Sequence, residues 1–223
     1  MNLNEYNPWK TGGLPLLNIA HICPETRALG PGLRAVVWVQ GCCFNCPGCI
    51  APEWINFRIA KLISPESLAE KLLSNPNIEG LTFSGGEPML QPAGLAKLAQ
   101  IARKKKDISI ICYTGFTLEQ LIKNPPAPGV HDLLSQIDVL IDGPYVDTLN
   151  NDKGLKGSSN QRVHFLTDRL KEFDFELFPR TFEIQIYNDN ILLVGIPTKT
   201  GLKAFLNFTK QILSKLKNEM NHG

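Results

Sequence analysis

Residues 34–49 read RAVVWVQGCCFNCPGC, an apolar run followed at once by a cluster of cysteines. The run from Arg34 to Gln40 is largely β-branched and apolar, which is typical of a strand buried on both faces of a parallel sheet. Four of the six cysteines of the chain then fall within eight residues. Because a crosslink stabilises most when it closes a long loop, such a tight cluster indicates a metal site and not a disulfide framework.

The composition surrounding this stretch is that of an ordinary globular protein. The chain has 223 residues, of which 43% are hydrophobic and 20% charged, with a formal net charge of +2. At this length one domain is expected, and a chain of this size can bury enough surface without disulfides. The small net charge gives no support to nucleic-acid binding. No apolar run approaches the ~18 residues of a membrane span, and the amino terminus has no signal-peptide core. We therefore expect a cytoplasmic protein with no nucleic-acid or membrane partner.

Strands and helices alternate on the carboxyl side of the cysteine cluster. Ser64 is predicted to cap the helix after the cluster, with Pro65 at the first helical position. The spacing of the elements favours a βα-repeat architecture with a mainly parallel sheet. A closed eight-fold barrel needs about 250 residues, so we expect an incomplete βα barrel, open on one side. The predicted helices are 64–75, 90–105 and 117–123, and the predicted strands are 79–84, 108–113 and 137–141.

The two ends of the chain depart from this alternation. Residues 1–32 form a predicted leading segment, in which Leu16–Ile22 is an expected edge strand. Residues 145–180 are polar and irregular in composition. The chain is predicted to close with a β-hairpin and an amphipathic helix, so we expect a single domain of residues 1–223 with a hairpin-plus-helix extension at 167–223. The hairpin strands are 181–187 and 191–196, joined by Asn188-Asp189-Asn190, and the helix is 201–218.

Cys42, Cys46 and Cys49 have the spacing C-x3-C-x2-C. Iron–sulfur clusters are held by cysteine thiolates, and a four-iron cluster normally takes four of them. A ferredoxin-type run that begins at Cys43 would need a Cys-Pro pair further on, but Glu53-Trp54 stands there, so an electron-carrier site is disfavoured. A set of three protein thiolates would leave one iron open.

Two alternatives remain open on the residues alone. Cys43 is either a fourth ligand or a bystander thiol, and adjacent side chains in an extended segment point in opposite directions, which favours the bystander. A structural zinc ion would need four ligands, so Cys43 or a distant residue would have to complete the set. The distant candidates are His21, Cys23 and His164.

A second motif, Gly85-Gly86-Glu87-Pro88, follows the next predicted strand. Glycine pairs at strand ends are often plain turns. Together with C-x3-C-x2-C after the first core strand, however, the sequence resembles the radical S-adenosylmethionine (SAM) enzymes. The resemblance implies a radical SAM core with a 4Fe-4S cluster on Cys42, Cys46 and Cys49, whose open iron binds the amino and carboxylate groups of SAM. It further implies that the glycine-rich segment supports the ammonium end of SAM.

A narrower resemblance is to the activating proteins of anaerobic ribonucleotide reductases. Cys46-Pro47-Gly48-Cys49 is similar to their pattern, as are residues 112–117, 138–145 and 157–162, so the likeness extends from about Val36 to Leu166. It implies an oxidoreductase that cleaves SAM to a 5′-deoxyadenosyl radical and takes hydrogen from a glycine of a partner glycyl radical enzyme. It also implies a low-potential electron donor such as flavodoxin or ferredoxin.

The longer carboxyl-terminal part leaves other functions open. One alternative is a radical SAM enzyme that modifies a small molecule or a peptide. Another, of a different class, is a non-catalytic iron–sulfur or zinc protein. No side chain is assigned a catalytic role by the sequence.

Seven residues are expected to bind the cofactor. Thr114, Gly115 and Asp142 come at the carboxyl ends of predicted parallel strands, where α/β folds place their ligands, although plain turns at these strand ends are the alternative. The polar segment from Tyr145 to Arg162 is interpreted either as part of a cover over the site or as a solvated loop. The full set of expected cofactor-binding residues is Ser84, Gly85, Gly86, Glu87, Thr114, Gly115 and Asp142.

Overall fold

A computed structural model describes residues 10–11, 14–187 and 190–220 of the chain. The predicted hairpin-turn residues Asn188 and Asp189 and most of the first thirteen residues lie outside the described residues. The strands are β1 (Lys10–Thr11), β2 (Leu14–Pro15), β3 (Leu17–Thr26), β4 (Arg34–Val39), β5 (Lys61–Ile63), β6 (Gly80–Gly85), β7 (Ser109–Tyr113), β8 (Val139–Asp142), β9 (Arg162–Phe165), β10 (Phe182–Tyr187) and β11 (Asn190–Gly195). The α-helices are α1 (Pro65–Leu72), α2 (Pro92–Lys105), α3 (Leu118–Lys123), α4 (Val130–Leu134) and α5 (Lys199–Met220).

A seven-stranded sheet with the order β5-β3-β4-β6-β7-β8-β9 organises the fold. Its four central strands, β4, β6, β7 and β8, are parallel. The outer strands β3, β5 and β9 are antiparallel to their neighbours. The predicted α/β class with a mainly parallel central sheet is therefore confirmed. Strands β10 and β11 pair separately as the predicted antiparallel hairpin.

Two details of the sheet were predicted wrongly. The segment expected as an edge strand lies in β3, which is flanked by β4 and β5 and is therefore an inner strand. Within the stretch expected to be irregular, residues 162–165 form β9, which pairs with β8. This strand has only four residues, and although RVHF alternates polar and apolar residues, so short a run does not distinguish a strand from the irregular sequence around it. Its position is set by long-range contacts with β8.

Both faces of the central strands are buried, as the sequence of β4 predicts. On one face, Val37 and Phe83 pack against α1 and α2. On the other face, Trp38 packs with Val194 of the hairpin. Full burial of a side chain such as Phe83 contributes roughly 1.5–3 kcal/mol. Since both faces are covered, a ligand can approach the sheet only at the ends of its strands. In α/β folds ligands bind at the carboxyl ends.

The helices begin where local signals place them. The Ser64 hydroxyl accepts the backbone N–H of Ser67 at 3.2 Å, with Pro65 as the first residue of α1. Thr117 and Gln120 form a reciprocal capping box at the start of α3. Such caps satisfy backbone donors that a helix leaves unpaired. No helix within the described residues combines the length and the apolar character that a membrane crossing requires.

Candidate metal and cofactor site

The carboxyl ends of the parallel strands open into one cavity of about 300 Å³. Because parallel strands end at the same edge of a sheet, the loops that follow them converge there. Nine of the ten residues predicted for the site line this cavity, and Asp142 does not. The nine are Cys42, Cys46, Cys49, Ser84, Gly85, Gly86, Glu87, Thr114 and Gly115.

The cysteine loop curls around the cavity through backbone conformations that few residues adopt. Gly41 has φ +98° and Gly48 has φ +76°, and Asn45 is left-handed with φ +46°. Glycine and asparagine tolerate this region better than other residues do. The backbone N–H of Cys49 donates to the carbonyl of Cys46 at 3.1 Å, which closes the last turn of the loop. The loop thereby brings its thiols to one side.

The four cysteines of the loop are not equivalent. Cys42, Cys46 and Cys49 line the cavity, whereas Cys43 is exposed and is not among the lining residues. Burial raises the pKa of the Cys42 thiol to about 11, and coordination of a metal favours the thiolate form. Three thiols at one cavity, with the fourth cysteine outside its lining, fit a cluster that has three protein ligands.

A zinc site would need a tighter arrangement of ligands than a four-iron cluster does. Among the described residues, no three His, Cys, Asp or Glu side chains converge closely enough to hold a single metal ion. A zinc site needs four ligands within about 2.3 Å of one point. The ligands of a four-iron cluster bind separate irons, so they need not converge in that way.

The two glycines of the second motif let its loop contact the cysteine loop directly. A Cβ atom on Gly85, whose φ is +104°, would lie 2.5 Å from the Val39 nitrogen. A Cβ atom on Gly86 would lie 2.2 Å from the Gly41 carbonyl oxygen. The N–H of Gly86 donates to the Val39 carbonyl at 2.7 Å, and the N–H of Glu87 donates to the Gly41 carbonyl at 2.8 Å. The contact between the two loops therefore has no room for a side chain.

Glu87 joins the loop after β6 to the loop after β7. Its side chain is 1% exposed, and its carboxylate accepts the Thr114 hydroxyl at 2.7 Å and the Gly115 N–H at 2.8 Å. It also accepts the Met89 N–H at 2.9 Å. Burial raises the pKa of Glu87 to about 7, against the lowering effect of these hydrogen bonds. The oxygen that accepts from Gly115 has further acceptor capacity for an ammonium group in the cavity.

Asp142 makes structural contacts away from the cavity. Its buried carboxylate accepts the Leu118 N–H at 2.6 Å and two donors of Arg162 at 3.0 and 2.6 Å. The Nε2 atom of His164 lies 2.9 Å from the same carboxylate. Burial raises the pKa of Asp142, but the contacts with Arg162, Leu118 and His164 outweigh it and the pKa is lowered. These contacts join α3 and β9 to the end of β8, so the prediction of Asp142 as a cofactor ligand gains no support.

We expect Asp142→Asn to lower the free energy of unfolding by about 2 kcal/mol at pH 7. That is less than the 3–5 kcal/mol of a fully buried pair, because Arg162 is 45% exposed and screened by solvent. Since the folded pKa is lowered, the stabilisation is present above the ordinary carboxylate pKa of about 3.9 and is lost as the pH falls toward the folded pKa. Urea unfolding of the original protein and of Asp142→Asn at pH 7 and at pH 3 measures this effect: the difference between their free energies of unfolding should be smaller at pH 3.

Glu119→Gln is the matched control for this prediction, because Glu119 is an exposed partner of the same arginine. It should change the stability far less than Asp142→Asn does. An Asp142→Asn protein as stable as the original at pH 7 would show that these contacts contribute nothing.

Several cavity residues were missed by the sequence analysis. Phe44 packs edge-on against Phe116, with ring centroids 4.8 Å apart, and a Cβ atom on Gly115 would meet the Phe44 ring at 2.6 Å. The position of Phe44 inside the cysteine motif could have identified it as a residue of the site. The others come from the segment expected as cover or solvated loop and from the extension. They include Tyr145, Asp147, Asn150, Gln161, Arg180 and Lys199. Tyr145 and Gln161 fall in segments that resemble the family pattern, whereas no motif marks the rest.

The site combines three thiols with a glycine-rich loop at the carboxyl edge of a parallel sheet. This combination defines the class of radical SAM enzymes. Residues 28–164 match the family described as 4Fe-4S single cluster domain. The chain is 31% identical over 165 residues to the anaerobic ribonucleoside-triphosphate reductase-activating protein of Enterobacteria phage T4, covering 100% of that protein and 71% of this chain. The protein of the same name from Vibrio cholerae serotype O1 is 34% identical over 161 residues, covering 99% of that protein and 68% of this chain. The chain belongs to the family of anaerobic ribonucleotide reductase-activating proteins.

A more distant relative extends further along the chain. The pyruvate formate-lyase-activating enzyme of Clostridium pasteurianum is 27% identical over 197 residues, which cover 73% of that enzyme and 85% of this chain. The matches to the phage and Vibrio proteins leave more than a quarter of this chain without a counterpart. The matched domain ends at residue 164, before the hairpin and α5 begin.

Proposed function

We propose that the chain is a radical SAM activase that generates a glycyl radical on a partner enzyme of the anaerobic ribonucleoside-triphosphate reductase type. The observation that carries the proposal is the convergence of the three cysteines with the Gly85–Glu87 loop on one cavity. Relatives that carry this name are matched over nearly their whole length. When bound, the cluster supplies one electron to the sulfonium of SAM, which yields methionine and a 5′-deoxyadenosyl radical that takes hydrogen from a glycine.

The residues of the site have distinct proposed roles. Cys42, Cys46 and Cys49 hold the cluster and leave one iron for SAM. The loop of residues 84–87 supports the ammonium end of SAM, through its backbone and through the free acceptor capacity of Glu87. Thr114 and Gly115 hold Glu87 in place by donating to its carboxylate. Their first effect on the reaction is therefore to position Glu87.

We further propose that the chain is a single domain and that its sheet is a partial βα barrel. The open side of this barrel would admit the glycine loop of the partner. Helices cover one face of the sheet, while the other is covered by the hairpin and by residues from Leu155 to Phe178. A carbon radical reacts with whatever it meets, so the site must hold its target close and exclude water. Tyr145, Asp147 and Gln161 line the cavity and support the role of their segment as a cover.

The electron donor is proposed to be a low-potential protein such as flavodoxin or ferredoxin. The last turn of α2 carries Arg103, Lys104 and Lys105, of which the two lysines are exposed. Because α2 starts near the carboxyl end of β6 and is about 20 Å long, this turn lies toward the opposite edge of the sheet from the cysteine loop, so the proposed donor rests on the family resemblance and not on this surface.

Anaerobic reconstitution with iron and sulfide, followed by dithionite and SAM, tests the proposal. We expect 5′-deoxyadenosine and methionine to form in equal amounts. Adding the anaerobic ribonucleoside-triphosphate reductase of the source organism should then give a glycyl radical signal in electron paramagnetic resonance. An intact cluster that yields no 5′-deoxyadenosine would favour a non-catalytic iron–sulfur protein.

The same experiment separates the second candidate function, an enzyme acting on a small molecule or a peptide. The observation in its favour is that the extension supplies residues to the cavity wall. Abundant 5′-deoxyadenosine without a radical on the reductase would support this candidate against the activase.

A further inference from the structure

Part of the cavity wall comes from beyond residue 164, where the matched domain ends. The hairpin places these residues, because Val194 of β11 is buried on the sheet face with Val36 and Trp38. Gly195 has φ +128°, and a Cβ atom there would lie 2.5 Å from the Thr181 carbonyl oxygen, so the strand turns toward the cavity at a position that requires glycine. The wall residues are Arg180, Gly195, Ile196, Pro197, Lys199 and Leu202.

The first turn of α5 is anchored beside this wall. The backbone N–H of Lys199 donates to the Asp152 carboxylate at 2.9 Å. The N–H of Gly201 donates to the Thr198 hydroxyl at 3.1 Å, which caps the helix. These bonds fix the backbone of Lys199 at the cavity while its side chain remains exposed.

Arg180 and Lys199 are the cationic side chains among the cavity-lining residues. The side chain of Arg180 is 1% exposed, and each of its three guanidinium nitrogens already donates to protein oxygens. It therefore fastens the extension to the segment around Asp152 and has little donor capacity left for a ligand. Its acceptors are the carbonyls of Gly154, Lys156, Gly157 and Pro197 and the side chains of Asn150 and Asp152.

Lys199 differs in having its ammonium group available. Its Nζ atom lies 3.4 Å from the Asp147 carbonyl oxygen, which is longer than an ordinary hydrogen bond of roughly 2.7–3.2 Å. The Asp147 carboxylate in turn lies 3.1 Å from the Cβ position of Gly48, the residue before Cys49. The ammonium group thus lies beside a residue that packs on the cysteine loop.

The other ionisable groups that line the cavity are three thiols, the phenols of Tyr113 and Tyr145, and the carboxyl groups of Glu87 and Asp147. The open iron would bind one oxygen of the SAM carboxylate, but the group would share the cavity with the carboxyl groups of Glu87 and Asp147, and a nearby cation would offset their repulsion. We propose that Lys199 pairs with the carboxylate of the methionine moiety of SAM, so that a residue outside the matched domain completes the cofactor site. This inference rests on the proposed function, because it requires SAM as the ligand.

Binding measurements on the cluster-loaded protein under anaerobic conditions test the inference. The ligands are SAM and decarboxylated SAM, which keeps the adenosine, the sulfonium and the amino group and lacks only the carboxylate. Lys199→Ala should raise the Kd for SAM about tenfold and leave the Kd for decarboxylated SAM unchanged, because only SAM loses an ion pair. Lys199→Arg should restore most of the affinity for SAM.

Lys203→Ala is the matched control, since Lys203 is exposed on the same helix and is not among the cavity-lining residues. It should leave both Kd values unchanged. Equal weakening of both ligands by Lys199→Ala, or an unchanged Kd for SAM, would overturn the inference. The proposed function would survive that result wherever the original protein still forms 5′-deoxyadenosine, and it would fail if the original protein forms none.

Discussion

Replacing Cys46 with alanine should abolish both the visible iron–sulfur absorption and the reductive cleavage of SAM. Cys46 lies at the centre of the C-x3-C-x2-C loop and lines the cavity with Cys42 and Cys49. Its loss leaves two thiols for a cluster that already has one iron without a protein ligand. Even changes to groups around metal ligands cost 10–100-fold, so we expect SAM cleavage to fall by more than about 100-fold. Iron and sulfide content, absorption and 5′-deoxyadenosine yield measure the effect.

Cys43→Ala is the matched control, because it removes a neighbouring thiol from the same loop. Cys43 is exposed and does not line the cavity, so this variant should keep its iron and its SAM cleavage. If Cys43→Ala lost the cluster while Cys46→Ala kept it, the assignment of the three ligands would be wrong. Loss of the cluster in both variants would instead make Cys43 a fourth ligand and remove the open iron.

The central fold could be predicted because each of its elements has a local signal. The apolar run that ends before Gly41 identifies β4, and Ser64-Pro65 marks the start of α1. The order of the strands is not a local property. The inner position of β3 depends on its pairing with β5, and β9 depends on contacts between Asp142 and Arg162, which are 20 residues apart. No periodic pattern in either segment indicates those partners.

The cavity residues that come directly after parallel strands could be predicted from the sequence. Asp142 follows the same rule along the chain, but its side chain faces away from the cavity. Side chains alternate along a strand, so Asp142 shares a face with Leu140, which packs in the helix-covered core, and its carboxylate reaches the start of α3. Arg180 and Lys199 could not be predicted, because their place at the cavity depends on how the hairpin packs on the sheet.

A methyl group at residue 86 should separate the glycine-rich loop from the cysteine loop. In Gly86→Ala the new Cβ atom would lie 2.2 Å from the oxygen and 2.7 Å from the carbon of the Gly41 carbonyl. These are backbone atoms, so no side-chain rotation relieves the clash. The displacement would break the hydrogen bonds that Gly86 and Glu87 donate to Val39 and Gly41, each of which contributes about 0.5–1.5 kcal/mol. A misplacement of about 1 Å at a reacting centre costs on the order of 100-fold, so we expect a loss of that size in SAM cleavage.

Gly143→Ala separates this clash from the cost of backbone strain. Gly143 also lines the cavity and has φ +99°, but the nearest atom to its Cβ position is 3.8 Å away. Alanine there meets only the strain of a left-handed backbone, about 1–2 kcal/mol, which should lower the melting temperature more than it lowers SAM cleavage. Gly86→Ala should lower SAM cleavage more than it lowers the melting temperature, because its clash lies between the two loops that hold the cofactors. If Gly143→Ala lost more SAM cleavage than Gly86→Ala at equal melting temperature, the contact between the loops would not be what positions SAM.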